Sequence, residues 1–285
     1  MIIFFQSGRL GNQIFQYLFL KNKLQKNKEK IILIGFKELS KLLFIKDIFI
    51  LPLKRDSYLF LILRRIARIF VKHKIVSTTK IIKKEYSGYL TETAETKYIR
   101  GFFTNINLVQ QGYFQDGSLW TKKDMNDMKI KENHLSRAFD ILKSVPVKMT
   151  PVFIHVRRGD YLSWGPYNKS AALPIEYYIN SIKKFDLKKT FFIVLSDDKE
   201  YVQNKFQFIK NKKILCEDQY LDFSVMTLCS GGILSASSFS YWGAMLMLKN
   251  KPKAPIYAPN YWAGFQSKIW FPYKIKNKLF HYISV

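Results

Sequence analysis

Val152-Phe153-Ile154-His155-Val156-Arg157-Arg158-Gly159-Asp160-Tyr161 runs an apolar strand directly into two arginines, a glycine and an aspartate. A short, continuous apolar run of this kind reads as a strand buried on both faces, the kind that builds parallel sheets. In such sheets the carboxyl ends of the strands open onto the ligand crevice. Arginines at that edge are placed to fork onto phosphate oxygens. Gly159 allows a sharp turn or a close approach to a ligand. Asp160 is near enough to orient an arginine or to serve as a base. The plainer reading of the same residues is a surface salt bridge at a strand end.

Outward from this stretch the pattern alternates. Residues 2–5 read as a short buried strand, followed by a glycine-bearing turn and an apolar-periodic helix over about 13–24. Further strands are expected at 31–34, 190–195, 213–216 and 232–235, separated by segments of helical length. Strands alternating with helices imply mostly parallel sheets covered on both faces. Two such runs surround a less regular middle, and residues 146–151 read as a linker. The expectation is two α/β domains, 1–146 and 151–285, with a cleft between them.

Length and composition agree. A chain of 285 residues can bury one large core or two modest ones, and 48% hydrophobic with 16% aromatic residues fits a packed globule. Only Cys216 and Cys229 are present, too few for a disulfide framework, so a reducing cytoplasm is expected. Met1 to Phe5 has no basic n-region and reads as a strand. No apolar stretch reaches the roughly 18 residues of a membrane span.

Lys and Arg number 47 against 21 Asp and Glu, giving +26. Such a charge invites a nucleic-acid reading, but the excess is lysine scattered along the chain. A lysine-rich compositional bias and a basic surface that meets acidic phospholipid are the two accounts kept open. Helical spacing over 58–74 puts Leu59, Ile62, Leu63, Ile66, Ile69 and Phe70 on one face, with Arg64, Arg65, Arg68 and Lys72 opposite. This is either a surface helix packing its apolar stripe on the domain or a membrane-surface helix. His134, far from every motif, reads as a surface residue.

Three more stretches carry possible chemistry. Ser7-Gly8-Arg9-Leu10-Gly11-Asn12-Gln13 links the first strand to the first helix. It reads as a ligand-facing turn with N–H groups for an anion, or as a tight strand-to-helix turn. Ser235 to Ala244 opens an aromatic helix with a hydroxyl cluster; Ser237 or Ser238 could cap it, while Tyr241 and Trp242 read as core. Phe191 to Asp198 ends another strand in two aspartates, whose commoner meaning is a strand-to-helix cap rather than a metal site.

The set and its order resemble a known family. Gly8-Arg9-Leu10-Gly11-Asn12-Gln13 with Phe15-Gln16-Tyr17 is similar to the opening motif of the bacterial alpha-1,2-fucosyltransferases, glycosyltransferase family 11. Gly112-Tyr113-Phe114-Gln115-Asp116 resembles their Gly-Tyr-aromatic-Gln element, and His155 to Tyr161 resembles their signature. Residues 192–198 and 237–244 resemble two later blocks, whereas 35–100 contributes almost nothing. Arg9 stands where members often carry glycine, Ala236 where they carry asparagine, and Tyr241 where they carry the first tryptophan of a pair.

The resemblance implies a GT-B fold, two Rossmann-like domains facing across a cleft, with 1–146 on the acceptor side and 151–285 binding a GDP-sugar. It implies transfer of L-fucose from GDP-fucose, with inversion and without metal or other cofactor, to O-2 of a terminal galactose. The acceptor would be a cell-surface glycan such as lipopolysaccharide, made in the cytoplasm by a protein peripheral to the inner membrane. Arg157 would be the essential pyrophosphate contact, supported by Arg158, and His155 would lie near the guanine or hold the loop. Gly11 and Asn12 would approach the donor phosphates; Asp197, Ser237, Ser238 and Phe239 would line the donor pocket; Asp160 is the candidate base. The alternatives are a transferase of the same fold using another nucleotide sugar or acceptor, and a basic nucleic-acid-binding protein. Against the latter, the sequence has no zinc spacing, RNP motif or basic arm.

Overall fold

In the computed structural model, which describes residues 1–24, 29–46 and 48–285, the short apolar runs pair as parallel strands in two separate six-stranded sheets. The chain divides into two units, Met1–Lys129 and Ile130–Val285. The division falls one helix earlier than the linker expected at 146–151.

The first unit contains β1 (Ile2–Phe5), α1 (Leu10–Phe19), β2 (Ile31–Ile34), α2 (Lys37–Leu42), β3 (Leu43–Phe44), β4 (Phe49–Leu51), α3 (Tyr58–Lys72), β5 (Val76–Tyr86), β6 (Tyr89–Ile99), β7 (Phe103–Val109) and α4 (Lys122–Asp127). The helix expected from residue 13 begins at Leu10, directly after the turn, and passes into a wider π-type turn over Leu20–Leu24. The sheet order is β4-β2-β1-β7-β5-β6. Every pairing in it is parallel except β5 with β6, which form an antiparallel hairpin. Its two-residue turn, Ser87-Gly88, has both residues in the left-handed region, as the twist of a tight hairpin favours. This hairpin occupies the middle that the sequence left irregular.

After β8 (Lys129–Ile130) at the join, the second unit contains α5 (Glu132–Lys143), β9 (Thr150–Val156), α6 (Ile175–Ile182), β10 (Thr190–Ser196), α7 (Lys199–Lys205), β11 (Lys212–Leu215), α8 (Gln219–Leu228), β12 (Gly232–Ile233), α9 (Ser238–Asn250), β13 (Ile256–Pro259) and β14 (His281–Ile283). Helix α5 is tied to α8 by an Arg137–Asp218 ion pair of 2.9 Å and by His134 stacked on Tyr220 at 5.2 Å. These contacts make α5 part of the second unit, and His134 is buried, not a surface residue.

The second sheet is all parallel, in the order β11-β10-β9-β12-β13-β14. Its core gathers Val152, Ile154 and Val156 of β9 with Tyr177, Tyr178, Phe192 and Val194. On its other side α9 is buried along most of its length, with Tyr241 and Trp242 fully in the core as read from the sequence. Among the described residues, no helix is long and apolar enough to cross a membrane.

Candidate active site

The second sheet reverses its strand order between β9 and β12. At such a switch point the loops leaving neighbouring strands run in opposite directions and open a crevice at the carboxyl edge. The chain after β9 supplies His155 to Tyr161, and the chain after β12 supplies Leu234 to Phe239. From β10, beside β9 on its other side, come Asp197 and Asp198, with Ser196 in register with Val156.

Arg157 is only 17% exposed and is held from two sides. One nitrogen, Nη1, bonds Asp197 Oδ2 at 2.7 Å, and Nη2 contacts Asp160 Oδ1. Its guanidinium also lies 5.6 Å from the centre of the Tyr161 ring. Arg158 donates from Nε to Asp198 Oδ2 at 3.0 Å, its backbone N–H donates to Asp197 Oδ1 at 2.9 Å, and its guanidinium packs on Tyr201 at 3.6 Å. Asp198 also caps α7 by accepting the Tyr201 N–H at 3.0 Å, the helix-cap role expected of this pair. Gly159 owes its place to close approach: a Cβ there would lie 2.6 Å from Asp197 Oδ2. Asp160 is 54% exposed, and the arginine it orients is Arg157.

On the other flank, His155 Nδ1 and Ser235 Oγ share a 2.6 Å hydrogen bond. Burial and the neighbouring Arg157 charge hold the imidazole near a pKa of about 3, so it is neutral. Phe239 tilts against it at 5.5 Å. Ser237 is the N-cap of α9 and accepts the Phe239 N–H at 3.2 Å, leaving Ser238 as the first helical residue. Tyr161 donates to the Ala236 carbonyl at 3.1 Å and so ties the two loops together. Burial pushes its phenol up to about 12. Among the described residues, no three His, Cys, Asp or Glu side chains gather as a metal would require.

The sequence reading missed Asp222. It is buried in the first turns of α8, within the apolar run Tyr220-Leu221-Asp222-Phe223, and a carboxylate in such a run was the available signal. One oxygen takes a backbone hydrogen bond from Glu217, and Oδ1 has no partner among the described residues. Burial, with help from Asp218 and Glu217, raises its pKa to about 8. Asp222 lies in the first turns of α8, which follows the carboxyl end of β11 after a short loop.

Gly11 and Asn12 belong to the first unit, whose own strand order reverses between β1 and β7. There Gln16 Nε2 donates to the Ser7 and Gly112 carbonyls at 2.7 and 2.8 Å, and Gln115 Nε2 donates to Asn12 Oδ1 at 2.5 Å. The opening motif and the Gly112–Asp116 element are therefore one structure. Gly8, at φ +77°, gives the room: a Cβ would meet Asn12 Nδ2 at 2.3 Å.

Two α/β units, each with a sheet that reverses its strand order, have the GT-B-like fold. A family model described as Glycosyl transferase family 11 matches residues 2–268, and the chain belongs to that family. An Escherichia coli protein named O-antigen biosynthesis glycosyltransferase WbnK is 27% identical over 277 residues, 84% of this chain and 88% of that protein. An Escherichia coli alpha-1,2-colitosyltransferase is 29% identical over 281 residues, 90% of each chain. The crystal structure of the fucosyltransferase NodZ from Bradyrhizobium superposes with a TM-score of 0.52 at 8% identity, covering 86% of this chain and 93% of that one. A POFUT1 structure in complex with GDP gives 0.52 at 10% identity, covering 90% and 97%. These two likenesses concern the fold.

The neutral His155 predicts a pH dependence of stability. In the unfolded chain it takes up a proton below about 6.5, whereas the native form resists until about 3. Native stability is therefore retained above about 6.5 and lost as pH falls toward 3, by at most about 1.4 kcal/mol per pH unit. Urea midpoints measured between about pH 6.5 and 4 should fall less steeply in His155→Gln than in the wild type. Equal slopes would show that the imidazole is protonated in the native protein.

Proposed function

We propose that this protein transfers L-fucose from GDP-fucose, with inversion and without metal, to O-2 of a terminal galactose of a cell-surface glycan. The observation that carries the reading is the pair Arg157 and Arg158 held by Asp160, Asp197 and Asp198 beside the N-terminus of α9. Breaking the sugar–phosphate bond leaves its electron pair on GDP, and the departing diphosphate gathers negative charge. Two fixed guanidiniums and the helix dipole are preorganised donors for that charge. The acceptor oxygen attacks the anomeric carbon from the opposite face, and its proton passes to Asp160. This carboxylate is solvent-accessible and is freed when the diphosphate takes over the guanidinium edge it now pairs with.

Asp222 completes the donor pocket in this reading. A carboxyl oxygen without a partner among the described residues suits the adjacent N–H donors of a guanine edge, and the half-buried Phe239, backed by the buried Phe223 at 5.4 Å, supplies apolar surface. Relatives named for O-antigen biosynthesis and for alpha-1,2 transfer support the acceptor class and linkage. A second reading, colitose in place of fucose as the transferred sugar, is favoured by the 29% identical colitosyltransferase.

The purified protein, given GDP-fucose, EDTA and a β-galactoside, should release GDP and form an α-1,2 product. Arg157→Ala should lower turnover about a hundred- to a thousandfold while folding normally. No transfer from GDP-fucose, with transfer from a GDP-colitose donor, would establish the second reading; near-normal Arg157→Ala turnover would remove the arginine from the reaction. In Asp160→Asn the acidic limb of the pH–rate profile should disappear, and its persistence would assign the proton to another group. Since Asp222 is protonated in the free protein at neutral pH, guanine binding should expel about one proton. Calorimetry of GDP binding in buffers of different ionisation enthalpy should register this in the wild type and not in Asp222→Asn; the same release in both would exclude Asp222 as the guanine contact.

A further inference from the structure

Helix α3 carries three stripes where the sequence suggested two. Phe60, Leu63, Ala67 and Val71 pack into the first unit with Phe5, Ile34, Val76 and Leu108. That face shares only Leu63 with the stripe read from spacing. At 100° per residue, Tyr58, Leu59, Ile62, Ile66, Ile69 and Phe70 form a second apolar stripe about 120° wide. Most of it faces outward: Tyr58 is 81% exposed and Ile69 is 47% exposed. Arg65, Arg68 and Lys72 make an exposed row along its edge, and α3 contains no acidic residue.

The patch continues past the helix. Phe102 and Phe103 donate their N–H groups to the Lys74 and Ile75 carbonyls at 2.8 Å each, which sets them at the end of α3. Phe102 is 82% exposed, with Lys74 and Arg100 exposed next to it. Water is a poor neighbour for this much contiguous apolar surface. An apolar stripe with a row of cations on its flank fits a planar boundary where acyl chains give way to anionic headgroups.

We propose that this surface of the first unit, α3 with Phe102 and Phe103, docks on a bilayer containing anionic phospholipid. The complementarity is local, cations beside the stripe without an acidic residue in the helix, and the net charge of +26 adds a long-range attraction. Neither donor nor acceptor identity enters this inference.

Vesicle flotation of the full chain tests it, with phosphatidylcholine vesicles and with vesicles that also contain phosphatidylglycerol. The wild type should float only with the second kind. Ile66→Ser/Ile69→Ser and Arg65→Gln/Arg68→Gln should each weaken partitioning about tenfold or more, with circular dichroism melting unchanged because these side chains face solvent. Lys205→Gln/Lys210→Gln, which removes the same charge from the second unit, should float nearly as the wild type does. The proposal fails if the wild type stays off both vesicles, or if Ile66→Ser/Ile69→Ser floats undiminished, which would make general charge the cause. It also fails if light scattering finds a dimer that Ile66→Ser/Ile69→Ser disperses, since a second copy would then be the occupant.

Discussion

The guanidinium of Arg157 is charged, largely withdrawn from water, and placed where two loops leave a parallel sheet. A cation in that position persists only with partners of good geometry, because desolvation otherwise exceeds the Coulombic gain. Asp197 and Asp160 supply them, and each fixes something else. A Cβ at 159 would meet Asp197 Oδ2 at 2.6 Å, so a side chain there would push that carboxylate from its place on Arg157. The same positive charge, added to burial, keeps His155 neutral, and a neutral imidazole can hold the β12 loop through Ser235.

The carboxylates also carry a chemical consequence. Three carboxylates against two guanidiniums leave this cluster with one net negative charge in the free protein, so the arginines are oriented without being exposed as a bare cationic patch. A diphosphate can then compete for the guanidinium edge held by Asp160, the most exposed of the three, while Asp197 and Asp198 keep both side chains in place. Orientation is established before the ligand arrives, which is what electrostatic preorganisation requires.

Much of this was legible in the sequence because parallel strands are apolar throughout and end abruptly in polar residues. The runs at 2–5, 31–34 and 190–195 emerge almost unchanged as strands, and the arginines, aspartates and serines that follow the strands of the second unit come together at its switch point. What stayed hidden has particular causes. The β5–β6 hairpin is rich in Lys, Glu and Thr, so it lacks the alternation that marks a half-buried strand. Helix α3 has two adjacent apolar stripes, and periodicity cannot say which of them meets the core. Asp222 follows Asp218, whose capping of α8 is an ordinary use for an acidic residue there, and only burial separates the two. The division at Lys129 and Ile130 is not visible in the sequence because α5 joins the second unit through contacts with α8 that leave no local mark.

The opening motif shows how a recognisable sequence can report packing as much as ligand contact. Gln13 and Gln16 are fully buried on α1. Gln13 donates to Gln6 Oε1 at 2.8 Å and to Glu38, and accepts the Leu39 N–H at 2.9 Å. Gln16 joins the turn after β1 to the turn after β7. Buried amides left without such partners would each cost about 1–3 kcal/mol, so replacing either would loosen the whole carboxyl edge of the first sheet. Within Gly8-Arg9-Leu10-Gly11-Asn12-Gln13, Gly8 makes room for Asn12, Leu10 is core and Gln13 is committed to Gln6, Glu38 and Leu39. That leaves the exposed Arg9, the backbone at Gly11 and the half-buried Asn12, itself steadied by Gln115, as the part of the motif not committed to packing.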